Sequence, residues 1–465
     1  MSEIASSNQH DGPVERRRTG RIARTRRLVF GILRARTDRT LAQRTAFLAF
    51  FIRASSAAIA LVLQILLARW LGTHEYGVFA FAFVTLVIVG GLLPIGIPTV
   101  GQRFIAEYTE NGQSGLLRGI LDGSRLLMVA IGTAASVLGA AGLWLFGDLI
   151  DSSYVLPLYL ILICLPIYAL VEVQDGIARN YSWIDLALAL PYLMRPLTII
   201  AIVGGSMLAT GRADAITASY ALIGAIWITG IIQTVLLEIR LRREVPRAQR
   251  AYAWKSWMVT ALPIFLVESF YMLLTNTDVL VLSIYEDPDK VGIYYAAVKV
   301  LALISFVPFA VTAASAHKFA EYGAHGDRER LETFVRDTVT WTFWPALGAT
   351  LAMLAAGKRL LWLFGPEFVD GYPLLFVLVL GLMARATVGP VDRVLNMLGQ
   401  QNFCAMIYAG AFALNLVLNF TLIPLYGLAG AAWATSLALI AESVLLFYAA
   451  RTRLGLHVFI LDRKR

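Results

Sequence analysis

Charged side chains lie inside long apolar stretches of this 465-residue sequence, and five of them are candidates for binding or ion coupling. They are Arg53, Arg195, Glu268, Asp278 and Lys299. A charged group in hydrocarbon costs roughly 3 kcal/mol, so it faces a protein interior or a water-filled cavity. Arginine binds phosphate oxygens through paired N–H donors, and an excess of basic groups in a cavity favours an anionic ligand. We interpret the three basic residues as one cationic substrate-binding cavity and the two acids as candidate coupling sites for protons or sodium.

These charges also have structural explanations, which stay open at this point. The long side chain of Arg53 can reach the lipid headgroups from the first apolar stretch. Asp278 and Lys299 can form an ion pair between neighbouring helices. Arg195 lies between Pro191 and Pro196, whose backbone breaks need a cavity or a neighbouring helix, and this favours a cavity-lining role.

The composition predicts the elements that position these charges. The sequence is 58% hydrophobic and 15% charged, with a mean hydropathy of +0.68, whereas soluble domains carry about 25% charged residues. Apolar runs of about 20 residues are long enough to cross a bilayer as helices. We predict an all-α polytopic membrane protein with about twelve spans. They cover 46–67, 78–97, 124–145, 154–171, 186–208, 214–237, 257–283, 291–314, 337–356, 372–389, 403–423 and 429–449.

The two halves of the chain resemble each other. The run YGVFAFA at Tyr76–Ala82 returns as VGIYYAA at Val291–Ala297, 215 residues later. The motif WLFG also occurs in both halves, at Trp144–Gly147 and Trp362–Gly365. An even six spans per half predicts two parallel repeats, related by an axis along the membrane normal.

The predicted division of the chain follows from this duplication. Two six-helix bundles, 46–237 and 257–450, are joined by a basic linker over 238–256. Arginine-rich or basic tails flank them at 1–45 and 451–465. Most of the 40 Lys and Arg residues fall on the side of the tails and the linker, which places both termini in the cytoplasm.

The N-terminal tail has no signal-peptide pattern, and we predict that it is mostly disordered and contacts anionic membrane lipids. Nucleic-acid binding is the rival explanation of its charge. A topology determinant explains it better, and we predict no nucleic-acid partner.

The motifs of catalysis are missing from this sequence. It contains no GxxxxGK[ST], HExxH or CxxC pattern, and its predicted spans are joined by short loops. We therefore expect no catalytic residue, no metal site and no cofactor. Transport, scaffolding and an enzyme site hidden within the bundle remain as the classes of function.

One segment resembles a known family. Asn415–Thr435 reads NLVLNFTLIPLYGLAGAAWAT and resembles the NxxLNxxLIPxxGxxGAAxAT signature of polysaccharide biosynthesis and export proteins. These are the O-antigen and exopolysaccharide flippases within the multidrug, oligosaccharidyl-lipid and polysaccharide exporter superfamily. LARWLGTHEYGVFAF at 67–81 also fits, and the resemblance covers roughly 46–450. Physically, Pro424 and Gly427 predict a turn, and Gly430 predicts close helix packing after it.

The resemblance implies a flippase for undecaprenyl-diphosphate-linked oligosaccharides in the bacterial inner membrane. Such proteins work by alternating access between two six-helix bundles around a central, often cationic cavity. By this resemblance, Asp278 matches an acid that is common in the family and Lys299 matches a basic residue. Arg195 matches an Arg-Pro pattern that is also common there. A polysaccharide polymerase and glycosyltransferases are the implied protein partners.

Four alternatives remain open. Within the superfamily they are a lipid II flippase, which usually has fourteen spans, and a multidrug cation antiporter, which favours an acidic lumen. From other classes they are a membrane polysaccharide polymerase and a scaffold for glycosyltransferases.

Overall fold

The computed structural model describes residues 38–324, 328–456 and 459–460. The chain divides into two compact units, Met1–Ala54 and Ser55–Arg465. Only residues 38–54 of the first unit are described, and they belong to the first helix. The tail predicted over 1–45 therefore lies almost wholly outside the described residues, as does the end of the tail predicted over 451–465.

The described residues are almost entirely helical. The α-helices are α1 (Asp38–Leu92), α2 (Ile97–Glu110), α3 (Ser114–Phe146), α4 (Ser152–Leu162), α5 (Leu165–Asn180), α6 (Arg195–Thr210), α7 (Ala215–Glu244), α8 (Trp254–Leu274), α9 (Thr277–Tyr285), α10 (Pro288–Leu301), α11 (Phe306–Ala324), α12 (Arg328–Phe364), α13 (Tyr372–Val388), α14 (Val391–Met397), α15 (Gln401–Tyr426) and α16 (Leu428–Ala449). Short 3₁₀ segments cover Gly147–Leu149 and Pro366–Gly371, and π-helical segments cover Asp185–Met194 and Ala450–Leu454.

The number of candidate membrane spans in the structure can be compared with the twelve predicted from the sequence. Among the described residues, ten helices are long and apolar enough to cross a membrane, and the bent pair α4 and α5 raises this to eleven. Helix α1 has 55 residues, about 80 Å at the α-helical rise, which is far longer than a bilayer is thick. It is broken at Gly72, where φ is 78°. Counting its two arms separately gives the predicted twelve, and the all-α membrane class is confirmed.

Three predicted spans are interrupted, which the hydropathy pattern did not reveal. The span over 154–171 is the pair α4 and α5, bent by 52°. The span over 257–283 breaks between α8 and α9, and the span over 291–314 breaks between α10 and α11. At the first of these two breaks, Asn276 Nδ2 donates a hydrogen bond to Met272 O at 2.8 Å. The side chain thus satisfies a carbonyl that the interrupted helix leaves free.

The linker between α7 and α8 covers 245–253 and is shorter than predicted, because α7 continues to Glu244 and α8 begins at Trp254. We call the end of the Ser55–Arg465 unit at which this linker lies the linker end. The opposite end, where Gly72, Gly211 and Gly427 form turns, is called the far end.

The two halves meet backbone to backbone at the far end. A Cβ atom built at Gly77 would lie 1.8 Å from the carbonyl oxygen of Pro288, and one at Gly292 would lie 2.5 Å from that of Thr73. Gly77 and Gly292 occupy equivalent positions of the repeat, and so do Thr73 and Pro288. A contact of this reciprocal kind is what a two-fold axis generates. It supports the predicted duplication.

Polar groups reinforce this closure of the far end. Arg69 donates to the carbonyl oxygens of Leu363 at 2.8 Å and Trp362 at 2.7 Å, and its guanidinium lies over the Trp362 ring. Asp289 accepts a hydrogen bond from Thr73 Oγ1 at 2.5 Å, and one of its oxygens lies 3.1 Å from His74 Nδ1. These contacts join the first half to α10 and to the end of α12.

The apolar core divides toward the linker end. At the far end one cluster contains residues of both halves, including Tyr76, Phe79, Tyr294 and Phe368. Toward the linker end there are two clusters, one built from the first half with Trp257 and Ala261 of α8, the other from the second half alone. The halves are therefore fused at the far end and have separate cores toward the linker.

The signature segment turns at Gly427 as predicted, whereas Pro424 lies within α15, which continues to Tyr426. Helices α15 and α16 pack against each other on either side of a turn at Gly427, where φ is 55°. A Cβ atom at Gly430 would lie 2.2 Å from the carbonyl oxygen of Leu422, so only glycine permits this approach. Asn419 Nδ2 donates to Asn415 Oδ1 at 2.9 Å within α15. The close helix packing predicted at Gly430 is confirmed.

Candidate functional site

Arg195 begins α6, directly after the π-helical segment that contains Pro191. Its guanidinium lies over the ring of Tyr168, with Cζ 5.6 Å from the ring centre. Its Nε atom is buried and has no hydrogen-bond partner among the described residues. A buried donor without a partner costs about 1–3 kcal/mol, which a ligand oxygen would recover.

Carboxylates lie close to this arginine. The charge of Arg195 acts on Glu172 and Asp175, which lie on α5 one turn apart. Asp175 is buried, accepts a hydrogen bond from Gln233 Nε2 at 2.6 Å and lies 4.0 Å from Arg179 Nη2. The first half therefore carries a cluster of both signs.

Glu268 lies where the two halves approach each other. Helix α2 of the first half packs against α8 of the second, and Glu268 Oε1 accepts a hydrogen bond from Thr99 Oγ1 at 3.1 Å. The charges of Glu172, Arg179 and Arg393 all act on it. The structure thus brings Glu268 and Arg195 into one charged neighbourhood, linked through Glu172.

The second half contains an ion pair that the sequence analysis missed. Arg385 Nη1 lies 3.3 Å from Glu442 Oε1, and Glu442 is fully buried. Asp392 lies 4.0 Å from the same guanidinium, which also covers the ring of Tyr271 and donates to Tyr408 Oη at 3.2 Å. Opposite charges within one half are expected to pair inside a membrane, so Glu442 had a predictable partner in α13.

Asp278 and Lys299 do not form the ion pair considered above. Asp278 is buried and accepts hydrogen bonds from Tyr294 Oη at 2.5 Å and Thr435 Oγ1 at 3.1 Å. Lys299 Nζ lies 4.4 Å from the centre of the Tyr295 ring. Hydroxyl donors therefore hold the carboxylate, and an aromatic face holds the ammonium group. Asp278 and Lys299 stay apart because the helical rotation of α10 directs Tyr294, not Lys299, toward α9.

Arg53 belongs to the Met1–Ala54 unit, where its side chain is partly buried. Its assignment to the substrate cavity stays a prediction.

The neighbourhood of Arg195 and Glu268 carries charges of both signs. Its described arginines are Arg179, Arg195 and Arg393, and its acids are Glu172, Asp175 and Glu268. The predicted span ended at residue 171, so Glu172, Asp175 and Arg179 were assigned to a loop. Their spacing of three and four residues would have placed them on one helix face.

No group of three His, Cys, Asp or Glu side chains that could hold a metal ion occurs within the described ranges. Cys164 and Cys404 are free and buried.

Comparison with known proteins gives the family. The profile of the polysaccharide biosynthesis protein family matches residues 43–316, and that of the MatE family matches 263–421. The chain is 23% identical over 405 residues to the "Putative O-antigen transporter" of Shigella flexneri, covering 82% of this chain and 90% of that protein. It is 25% identical over 169 residues to the "Probable low-salt glycan biosynthesis flippase Agl15" of Haloferax volcanii. That second match spans about a third of each protein, 36% of both chains.

Solved structures share the fold. An inward-facing multidrug resistance MATE family transporter of the MOP superfamily superposes with a TM-score of 0.70 at 15% identity, covering 87% of this chain and 98% of that one. The lipid II flippase MurJ in an inward closed conformation gives 0.70 at 14% identity, covering 87% and 88%. Since the family profile covers more than half of the sequence, this chain belongs to the polysaccharide biosynthesis protein family.

Proposed function

We propose that this protein is a flippase that moves undecaprenyl-diphosphate-linked oligosaccharide units across the bacterial inner membrane for surface polysaccharide synthesis. The geometry that carries the proposal is a helical bundle closed at the far end above a charged region between its two halves. The O-antigen transporter and the glycan flippase named above support the class of substrate.

The proposed orientation places the linker end in the cytoplasm. Basic residues concentrate in the linker and in both tails, and the positive-inside rule assigns such segments to the cytoplasmic side. The far end then faces the periplasm. Closure by Gly77, Gly292 and Arg69 corresponds to a state that receives its substrate from the cytoplasmic leaflet.

Arg195 is the proposed anchor for the diphosphate. Its guanidinium carries a buried Nε without a partner, and a phosphate group offers oxygens that accept such donors in pairs. Glu172 and Asp175 lie near enough to act as its countercharge. A bound diphosphate would take over this role, while the polyprenyl tail stays in lipid. Arg53 and Lys299 remain further candidates for phosphate contacts.

Coupling to an ion gradient is assigned to Glu268 or Asp278. Glu268 is exposed and interacts with both halves through Thr99 and Arg393, so a change in its charge would act on their association. Asp278 is enclosed by hydroxyl groups from α10 and α16. A polymerase and glycosyltransferases are the proposed protein partners, since they make and consume such lipid-linked units.

The proposal is tested in a strain from which this chain is deleted. Lipid-linked glycans are extracted and their leaflet is determined by their accessibility to a periplasmic probe. Single repeat units trapped on the cytoplasmic side support the proposal, and complementation with the intact chain restores export. Units that reach the outer leaflet but stay unpolymerised would instead make the protein a polymerase.

Replacing Arg195 with alanine should lower export in the complemented strain by about ten- to a hundredfold. A hydrogen bond to a charged group contributes about 1.5–3 kcal/mol, and Arg195→Ala removes such donors from the substrate. Arg195→Lys keeps the charge but loses the paired donors, so its export should lie between that of the parent protein and that of Arg195→Ala. Arg212→Ala, in a far-end loop, serves as the control. Full export by Arg195→Ala at normal membrane levels would remove Arg195 from the site.

A multidrug cation antiporter is the second candidate. The MatE match over 263–421 and the carboxylates beside Arg195 favour it. A normal lipid-linked pool in the deleted strain, together with raised sensitivity to cationic dyes, would replace the flippase proposal with this one.

A further inference from the structure

The linker between α7 and α8 is docked along a stripe of glycines on α3. Gly115, Gly119 and Gly123 follow each other at intervals of one helical turn. A Cβ atom at Gly119 would lie 1.7 Å from the carbonyl oxygen of Ala251. The backbone N–H of Ala251 also donates to Gly115 O at 3.0 Å. The linker backbone therefore occupies a groove that side chains would fill.

Arginines fix both ends of this docked segment. Arg118 on α3 donates to the carbonyl oxygens of Val245 at 3.0 Å and Pro246 at 2.8 Å. Arg250 Nε donates to Asp122 Oδ2 at 2.7 Å. This hydrogen bond raises the pKa of Arg250. The linker thus has a defined position against the first half.

A basic cavity of about 700 Å³ lies between the docked linker, α3 and the end of α7. Arg118, Arg242, Arg247 and Arg250 line it, with Glu238 as the one acidic lining residue. Arg242 is 74% exposed and is held by Glu238 at 2.8 Å. Arg247 is exposed and has no ion-pair partner within the described ranges. The cavity therefore carries an excess of positive charge.

The helix surfaces next to the cavity are apolar and open to the membrane. On α7, Val235, Leu236 and Ile239 are exposed in the two turns before Arg242, and on α3, Leu126 and Val129 are exposed just beyond Asp122. In the linker, Tyr252 is 51% exposed and stacks on Trp254. Tyrosine and tryptophan prefer the membrane–water interface, which places the cavity at headgroup depth.

We propose that this cavity binds the headgroup of an anionic phospholipid, whose acyl chains lie along the exposed faces of α3 and α7. Basic pockets beside membrane helices on the cytoplasmic side are suited to anionic headgroups, and arginine suits phosphate. A bound lipid ties the segment that connects the two halves to the membrane surface. The lining residues all belong to the segment 118–250, and the proposal does not depend on the flippase proposal.

The test measures lipid binding to the purified full-length protein in a neutral detergent by native mass spectrometry. Phosphatidylglycerol is the probe, phosphatidylcholine of the same chain length is the neutral comparison, and inorganic phosphate is the competitor. The test variant combines Arg242→Gln with Arg247→Gln. The control variant combines Arg243→Gln with Arg451→Gln, which removes the same charge from exposed positions outside the cavity lining. Gel filtration checks that both variants fold.

We expect the affinity for the first phosphatidylglycerol to fall ten- to thirtyfold in the test variant and less than twofold in the control. The reason is that each basic group near an anionic headgroup contributes part of the binding free energy. Equal losses of affinity in both variants would contradict the proposed site and would indicate diffuse electrostatic attraction instead. Equally tight phosphatidylcholine binding would overturn the headgroup chemistry. Displacement of the lipid by millimolar phosphate would show that free phosphate, not lipid, is the ligand.

Discussion

Gly77→Leu is expected to prevent closure of the far end. A Cβ atom at Gly77 would already lie 1.8 Å from the carbonyl oxygen of Pro288, so a leucine forces α1 and α10 apart. Overpacking of this kind costs about 1–3 kcal/mol, which shifts a two-state equilibrium by roughly five- to 150-fold. The ratio of the state open at the far end to the closed state should therefore rise by about this factor, and export should fall because less protein receives substrate from the linker end.

The measurement is the reaction of a single cysteine at position 80 with a membrane-impermeant maleimide. Ala80 is fully buried one turn below the contact, so the label should react slowly in the parent background and at least tenfold faster with Gly77→Leu. Gly348→Leu is the matched control, because a Cβ atom at Gly348 meets nothing within 4 Å. Unchanged labelling in a well-folded Gly77→Leu protein would mean that this contact does not close the far end.

Replacing Arg385 with leucine should destabilise the second half by about 3–5 kcal/mol. Glu442 is fully buried, and Arg385 is the cation that lies 3.3 Å from its carboxylate. Removing one partner leaves an uncompensated buried charge, whereas removing both leaves an apolar contact. The double variant Arg385→Leu with Glu442→Leu should therefore recover more than half of the loss.

Thermal unfolding of the purified proteins, followed by tryptophan fluorescence, compares these variants. Arg393→Leu is the control, since its side chain is 57% exposed and its pairing with Asp392 should contribute less than about 1 kcal/mol. If the single and double variants unfold at the same temperature, the two groups act independently and the ion pair is not what stabilises α13 against α16.

The class, the approximate spans and the family of this protein could be predicted from its residues alone. Hydropathy measures how well a segment tolerates lipid, so it located the helices without knowledge of their neighbours. The turn at Gly427 and the close approach at Gly430 were also predictable, because they depend on local backbone freedom. The repeat located Gly77 and Gly292 as equivalent positions, although it gave no reason to expect them in contact.

The pairing of the charged side chains could not be predicted in this way, because it depends on how the helices pack. Arg385 and Glu442 lie on α13 and α16, far apart in the sequence, and hydropathy says nothing about the rotation of either helix. The same limit explains why Asp278 contacts Tyr294 and Thr435 instead of Lys299, and why Arg195 has acidic neighbours. An unpaired buried charge costs free energy, so burial favours pairing. The direction of the side chains and the packing of the helices determine which group becomes the partner.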